Sequence, residues 1–293
     1  MGRKRGYNSN STAAITYLET YNYFFMRLSS IAMSCFLWEG LPDTVDPRYI
    51  EYTLFYQGSG LYFQDEIIGN IFTKYASGGM LDIYDIPMER NAYANNGYQN
   101  KKQAENSVII YDNLTHTNIL PIIETFCKRL TNLERTKDIN VSVQKTPFMI
   151  RSTQQQLLTL QNMFEKIDVG CPAIFADKSF DMEDVKVLDL KAPFLVGELQ
   201  KEKLNVMQEA LSFLGVGGME IEKSERLLER EIQEAQQASI AQRQNRLKAR
   251  QQAADKINRM FGLDVSVSFD ESIIKPPGSY LNVSRETMIE GDE

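Results

Sequence analysis

Four carboxylates, Asp177, Asp181, Glu183 and Asp184, stand close together in one stretch of the chain. Paired acids of this kind hold divalent metals in nucleases. No histidine or lysine falls at a spacing that would complete such a site, so the stretch reads as an acidic turn. The single histidine, His116, lies in the polar run Asn113-Leu114-Thr115-His116-Thr117-Asn118 and reads as a loop residue. Three cysteines, Cys35, Cys127 and Cys171, are too few and too scattered for a disulfide framework or a zinc site. They read as buried thiols. Gly215-Val216-Gly217-Gly218 is glycine-rich, but it follows a helical pattern, whereas a phosphate loop follows a strand and opens a helix. These residues predict no catalytic group, no metal and no cofactor, and the chain is not expected to be an enzyme.

The remaining chemistry is electrostatic. Arg3-Lys4-Arg5 opens the chain as a basic arm, and Lys223 and Arg226 stand in a charged stretch further on. The formal net charge is −7. A protein that grips nucleic acid by charge carries a basic excess, so any contact here must be local and weak. No secretory leader is read at the start, because polar residues follow the basic arm. Phe24 to Trp38 is the most apolar early stretch. It contains Arg27 and is too short and polar to cross a bilayer, so no membrane partner is expected.

The elements that must position these groups are readable from periodicity. Ile15, Leu18, Tyr21, Phe25, Leu28, Ile31, Cys35 and Trp38 recur at helical spacing, predicting a helix over 12–39 that Gly40 and Pro42 stop. Asp46-Pro47 predicts the start of a short helix reaching Tyr56. Residues 57–112 are punctuated by glycines and read as strands, with Asn95-Asn96-Gly97 as a hairpin tip. A helix is expected over 118–137 and a strand over 140–150. A helix from Ser152 or Thr153 to Lys166 follows, then short strands at 171–176 and 185–190, and a long helix over 193–214. Residues 220–259 are almost wholly polar, acidic first and basic later, through Arg243, Arg246, Lys248, Arg250, Lys256 and Arg259. They read either as an exposed helix with solvated faces or, which explains the charge segregation best, as a loop followed by a helix that lies on a neighbouring subunit. Val265 to Phe269 alternates as an edge strand, and an acidic tail follows.

Several ordered residues resemble the portal (upper collar, connector) proteins of picovirus-like podophages. They are Gln144-Lys145-Thr146-Pro147 with Ile150-Arg151, Pro172 to Ala176, Ala192-Pro193, Phe213-Leu214-Gly215, and Glu222-Lys223 with Glu225-Arg226. Lys256-Ile257-Asn258 and Gly262-Leu263 match near the end. Arg3-Lys4-Arg5, Trp38-Glu39, Leu41-Pro42, Pro47 and Glu51 match near the start. The series spans nearly the whole chain in the family's order, with 57–112 and the tail matching poorly.

The resemblance implies an α+β, mainly α portal fold. It has long channel helices, a small β-rich wing subdomain and an αβ clip insertion. It divides the chain into a mobile basic arm (1–11), wing and stem helices with a β-rich subdomain (12–139, the strands at 57–112), a clip (140–192) and a channel helix (193–215). A channel loop (216–236), a wing helix with an edge strand (237–269) and a flexible tail (270–293) complete it. It further implies a homo-oligomeric, dodecameric ring at one capsid vertex, through which double-stranded DNA is packaged and ejected. The implied partners are the major capsid and scaffolding proteins, the packaging ATPase and the lower collar or tail proteins, in a virion assembled in the host cytoplasm. Gly217, Gly218, Lys223 and Arg226 then belong to the DNA-channel loop. Arg3, Lys4 and Arg5 touch nucleic acid at the packaging vertex, and Gln144, Lys145, Pro147 and Arg151 belong to the clip. The carry-over is partial: Ser224, Asp189 and Glu198 stand where the family has lysines, and Lys191 is two residues out of register. The alternative reading is another virion structural protein, a lower collar or tail component.

Overall fold

The apolar rhythm at the start of the chain builds a helix that turns one stripe inward. In the computed structural model, which describes residues 9–145, 148–151, 186–189, 193–216 and 229–273, α1 runs Ser9–Ser34. Phe24, Leu28, Ala32 and the adjoining Cys35 are buried, whereas Ile15, Leu18 and Met26 face outward. The helix stops earlier than its periodicity predicts. Phe36–Glu39 forms β1 instead, antiparallel to β9 (Ser266–Phe269) with Phe36 opposite Phe269. Their rings meet edge to face at 5.8 Å, a pairing that a further helical turn would break. Gly40 follows at φ +71°, and a Cβ there would stand 2.1 Å from the Asp264 carbonyl oxygen, so only glycine fits that turn.

Helix α2 (Pro47–Gln57) begins as its sequence requires. The Asp46 carboxylate accepts from the Arg48 amide at 2.8 Å, and Pro47 takes the first turn. Gly58 ends it in the left-handed region. Five antiparallel strands follow: β2 (Ser59–Asp65), β3 (Gly69–Leu81), β4 (Pro87–Tyr93), β5 (Gln99–Gln103) and β6 (Ser107–Tyr111), in the order β5-β4-β3-β2-β6. Leu61, Phe63, Ile71, Ala92 and Ile109 form their shared core. Gly97 turns the β4–β5 hairpin, as expected of Asn-Asn-Gly.

Helix α3 runs Leu120–Lys145, capped by Asn118, whose side chain accepts from the Leu120 amide at 2.8 Å. It replaces most of the strand expected over 140–150. Period-two alternation makes a strand only where one face can be buried, and Val141 is instead exposed. A strand remains only at β7 (Phe148–Arg151), paired antiparallel with β8 (Lys186–Asp189). Helix α4 covers Val196–Leu214 and begins later than Pro193, which stays in an extended link. Helix α5 covers Glu229–Phe261. The helix expected from residue 152 and the strand expected at 171–176 lie outside the described residues.

The chain divides into two compact units. One contains residues 1–130 and 205–293 and holds the five-stranded sheet, β1–β9 and the core of α5. The other contains residues 131–204, with the later turns of α3, the β7–β8 pair and the first turns of α4. Helices α3 and α4 each run from one unit into the other.

Candidate functional site

Helix α5 is poor in apolar residues, yet it buries one face: Arg246, Ala249, Arg250, Ala253, Ala254 and Ile257. The alanines allow close approach, and the two arginines sit one turn apart on the same stripe. Arg250 is fully buried. Its Nε and Nη2 donate to the two carboxylate oxygens of Glu51 on α2 at 2.8 and 2.7 Å. Nη2 also donates to Asp112 Oδ1 at 2.9 Å, and Nη1 to the Asp112 carbonyl at 2.7 Å. Arg246 donates to the same Oδ1 at 3.2 Å, to the Ala32 carbonyl at 3.3 Å and to the Leu214 carbonyl at 3.4 Å. The Trp38 indole donates to Glu51 Oε1 at 2.9 Å. The Phe36 ring lies beneath both guanidiniums, 4.0 Å from Arg250 and 5.0 Å from Arg246.

This cluster joins α1, β1, α2, the end of β6, α4 and α5 through charged hydrogen bonds. Burial alone would raise the Asp112 carboxyl, but the Arg246 and Arg250 guanidiniums outweigh it and hold the group below the usual carboxylate range. Burial would likewise lower Arg250, and Glu51 with Asp112 reverse that, so its cation is held firmly. Removing one partner from such a set leaves a buried charge without its counter-ion.

Charge patterning predicts that the basic residues of α5 lie on solvated faces. The structure corrects this for Arg246 and Arg250: α5 packs on its own chain, against β6 and β9, and these two arginines enter the interior. Charge patterning concealed them. The available signal was two arginines four residues apart among alanines, which is a buried stripe if carboxylates elsewhere meet it.

The cluster also fixes the frame of the expected channel loop. Helix α4 ends at Gly215, φ +81°, where a Cβ would stand 2.8 Å from Arg243 Cα. Arg243 Nε donates to the Gly215 carbonyl at 2.9 Å, and Arg246 holds Leu214. The last turn of α4 is therefore stitched to the middle of α5. Gly217, Gly218, Lys223 and Arg226 lie outside the described residues, as do Arg3, Lys4, Arg5 and Pro147. So do the acids Asp177, Asp181, Glu183 and Asp184. Gln144 and Lys145 close α3, with Gln144 exposed, and Arg151 closes β7.

Helices α3 and α4 are paired by polar contacts. Arg129 reaches Glu209 at 2.7 Å in one unit. In the other, Glu134 meets Lys137 at 2.6 Å and Lys203 at 2.8 Å, and the Asn140 side chain holds the Pro193 carbonyl and the Leu195 amide. Glu198, at one of the family's lysine positions, is exposed in the first turn of α4.

His116 has φ +56° and stacks on Tyr111 at 3.5 Å between ring centroids. Burial and the nearby Lys256 lower its pKa. Cys35 and Cys127 are buried thiols, and burial raises both, Cys127 to about 11. Among the described residues no His, Cys, Asp and Glu converge as metal ligands. No described helix is long and apolar enough to cross a membrane.

Comparison with known proteins places this architecture. The chain resembles a chain in the solved structure of the portal and tail of native bacteriophage P68 at a TM-score of 0.53 and 16% identity, covering 99% of this chain and 100% of that one. A weaker likeness, TM-score 0.44 and 11% identity, is to an HK97-family phage portal protein from Corynebacterium diphtheriae, covering 90% and 96% of the two chains. The family described as Phage Connector (GP10) matches residues 10–274. The chain belongs to the phage connector family and is a phage portal protein.

Proposed function

We propose that copies of this chain close into a ring, dodecameric as the family resemblance implies, at one capsid vertex and form the channel for genome packaging and ejection. The ring docks the packaging motor first and the tail afterwards. The observation that carries this reading is the stitched frame between α4 and α5. Each subunit carries residues 217–228 between α5 and the last turn of α4, which Arg243 and Arg246 hold against the middle of α5. Repeated around an axis, such segments make a collar of loops on a rigid wall.

A ring interface is heterologous: one face of each subunit meets a different face of the next. The outward stripe of α1, with Ile15, Leu18 and Met26 exposed in the single chain, suits such a contact. Duplex DNA carries one charge per about 1.7 Å, so a strongly basic wall would arrest it. A chain of net charge −7 with a few cations at the loop lets the duplex slide. In this reading the loop acts mainly as a steric valve, and Lys223 with Arg226 adds one weak ring of positive charge. Arg3, Lys4 and Arg5 contact nucleic acid at the vertex. Gln144, Lys145, Pro147 and Arg151 belong to the end that meets the motor and then the tail, and the work is done by shape and charge without catalysis.

The test is electron microscopy of the purified protein. Closed rings with an opening wide enough for B-form duplex are expected. A monomer, or a ring too narrow for duplex, would sink the reading. With rings in hand, Lys223→Ala with Arg226→Ala should leave assembly unchanged and alter DNA retention after packaging.

A further inference from the structure

The buried cluster leaves one basic surface unexplained. A groove of about 510 Å³ opens between β6 and the last turns of α5. Val108, Ile109 and Met260 give it apolar walls, and Arg90, Lys256 and Arg259 supply cations. No described carboxylate lines it, and none of the three cations forms an ion pair among the described residues. Arg90 is the telling member. It is 6% exposed, and among the described residues its guanidinium donates to the Pro87 carbonyl and to the carbonyl and hydroxyl of Ser107. A charge taken that far out of water, with Glu105 and Asp82 acting on it only from beyond ion-pair distance, is costly, and an anion entering the groove would relieve it.

An occupant must bring both negative charge and an apolar body. The sequence after the described fold supplies one: Met288-Ile289 followed by Glu290-Gly291-Asp292-Glu293. The described chain ends at Ile273, just past β9, which packs on α5, the element that provides Lys256, Arg259 and Met260. At about 3.3 Å per extended residue, the residues between Ile273 and Met288 reach across any face of a body this size. Tethering raises the local concentration to roughly the millimolar range, so modest affinity suffices. A nucleic-acid backbone would match the cations but not the apolar walls.

We propose that Met288–Glu293 docks in this groove, with Met288 and Ile289 against Val108, Ile109 and Met260 and its acids facing Arg90, Lys256 and Arg259. Each subunit then covers its own basic surface, whether or not the ring reading holds.

The experiment compares the full chain with a chain ending at Arg285, which keeps every described element. A fluorescent peptide of residues 284–293 is titrated into each and followed by anisotropy. The peptide should bind the shortened chain at least about tenfold more tightly than the full chain, whose groove is already filled. Lys256→Glu with Arg259→Glu, both exposed positions, should abolish that binding, and circular dichroism checks that the variant is folded. Hydrogen exchange at residues 104–111 and 256–260 should rise on shortening. Equal binding to both chains, no binding to either, or displacement of the peptide by a duplex oligonucleotide would each overturn the proposal. Ring formation in the microscope is scored separately, so failure here and failure of the ring reading stay distinguishable.

Discussion

The Arg250 cluster and the α3–α4 pair use the same side chains to opposite effect. In the cluster, Arg250, Glu51 and Asp112 are at most 4% exposed, and every charge meets more than one partner. Along the helix pair, Arg129 and Glu209 are about half exposed, and Glu134, Lys137 and Lys203 keep a fifth or more of their surface in water. The first set must remain intact because each member, once desolvated, depends on the others. The second contributes little, because water competes for every charge. An ion pair therefore has no fixed worth, and its surroundings set its value. The cluster ties α1, β1, α2, α4 and α5 into one body, whereas the pair only trims two helices.

The largest test removes the centre of the cluster. Arg250→Ala leaves Glu51 buried with the Trp38 indole but no counter-ion among the described residues, leaves Asp112 on Arg246 alone, and should cost about 3–5 kcal/mol in a urea melt. Arg250→Lys should recover little, because an ammonium cannot form the forked contact with Glu51. A loss below about 1 kcal/mol for Arg250→Ala would refute the contrast between the two regions.

Next comes the seam that the cluster secures. Gly215→Ala forces a side chain into a left-handed residue pressed against the Arg243 backbone. It should cost about 1–3 kcal/mol, and protease cleavage between α4 and α5 should speed up. Unchanged cleavage would argue against the stitched frame.

Acid tests the buried cluster by a different route. Asp112 is held low by its two arginines. Asp65 is held low by the Tyr98 hydroxyl and by the amides of Ile67 and Ile68. Both carboxyls have folded pKa values below their unfolded ones. Their stabilisation is therefore complete above the unfolded value, near pH 4, and is lost as the pH falls below it. The urea midpoint should fall steeply under about pH 4, and a flat profile down to about pH 3 would contradict the buried-charge account. The smallest effect is expected at the surface. Arg129→Ala or Lys203→Ala should change stability by less than about 1 kcal/mol, and high salt should erase the difference.

Legibility in the sequence tracked locality. The Asp46 cap and Pro47 set the start of α2 through contacts within a few residues, and they predicted it nearly to the residue. Asn95-Asn96-Gly97 did the same for its hairpin. Helix α1 and β1 were harder, because Phe36 to Glu39 continue the helical rhythm and leave it only for a partner strand far along the chain. Arg246 and Arg250 were misread for the same reason, since their acids lie 134 and 199 residues away. The ordered series of matched residues carried the family, while the expected channel and arm cations fall outside the described residues.

The sequence by itself determined the helical stripes, the caps, the glycine turns and a charge balance unsuited to gripping DNA, because each depends on neighbours along the chain. Only the tertiary structure decided which charges leave water, because desolvation depends on what the rest of the chain brings to the same place. Two arginines on a polar helix are surface residues until Phe36, Glu51 and Asp112 close around them.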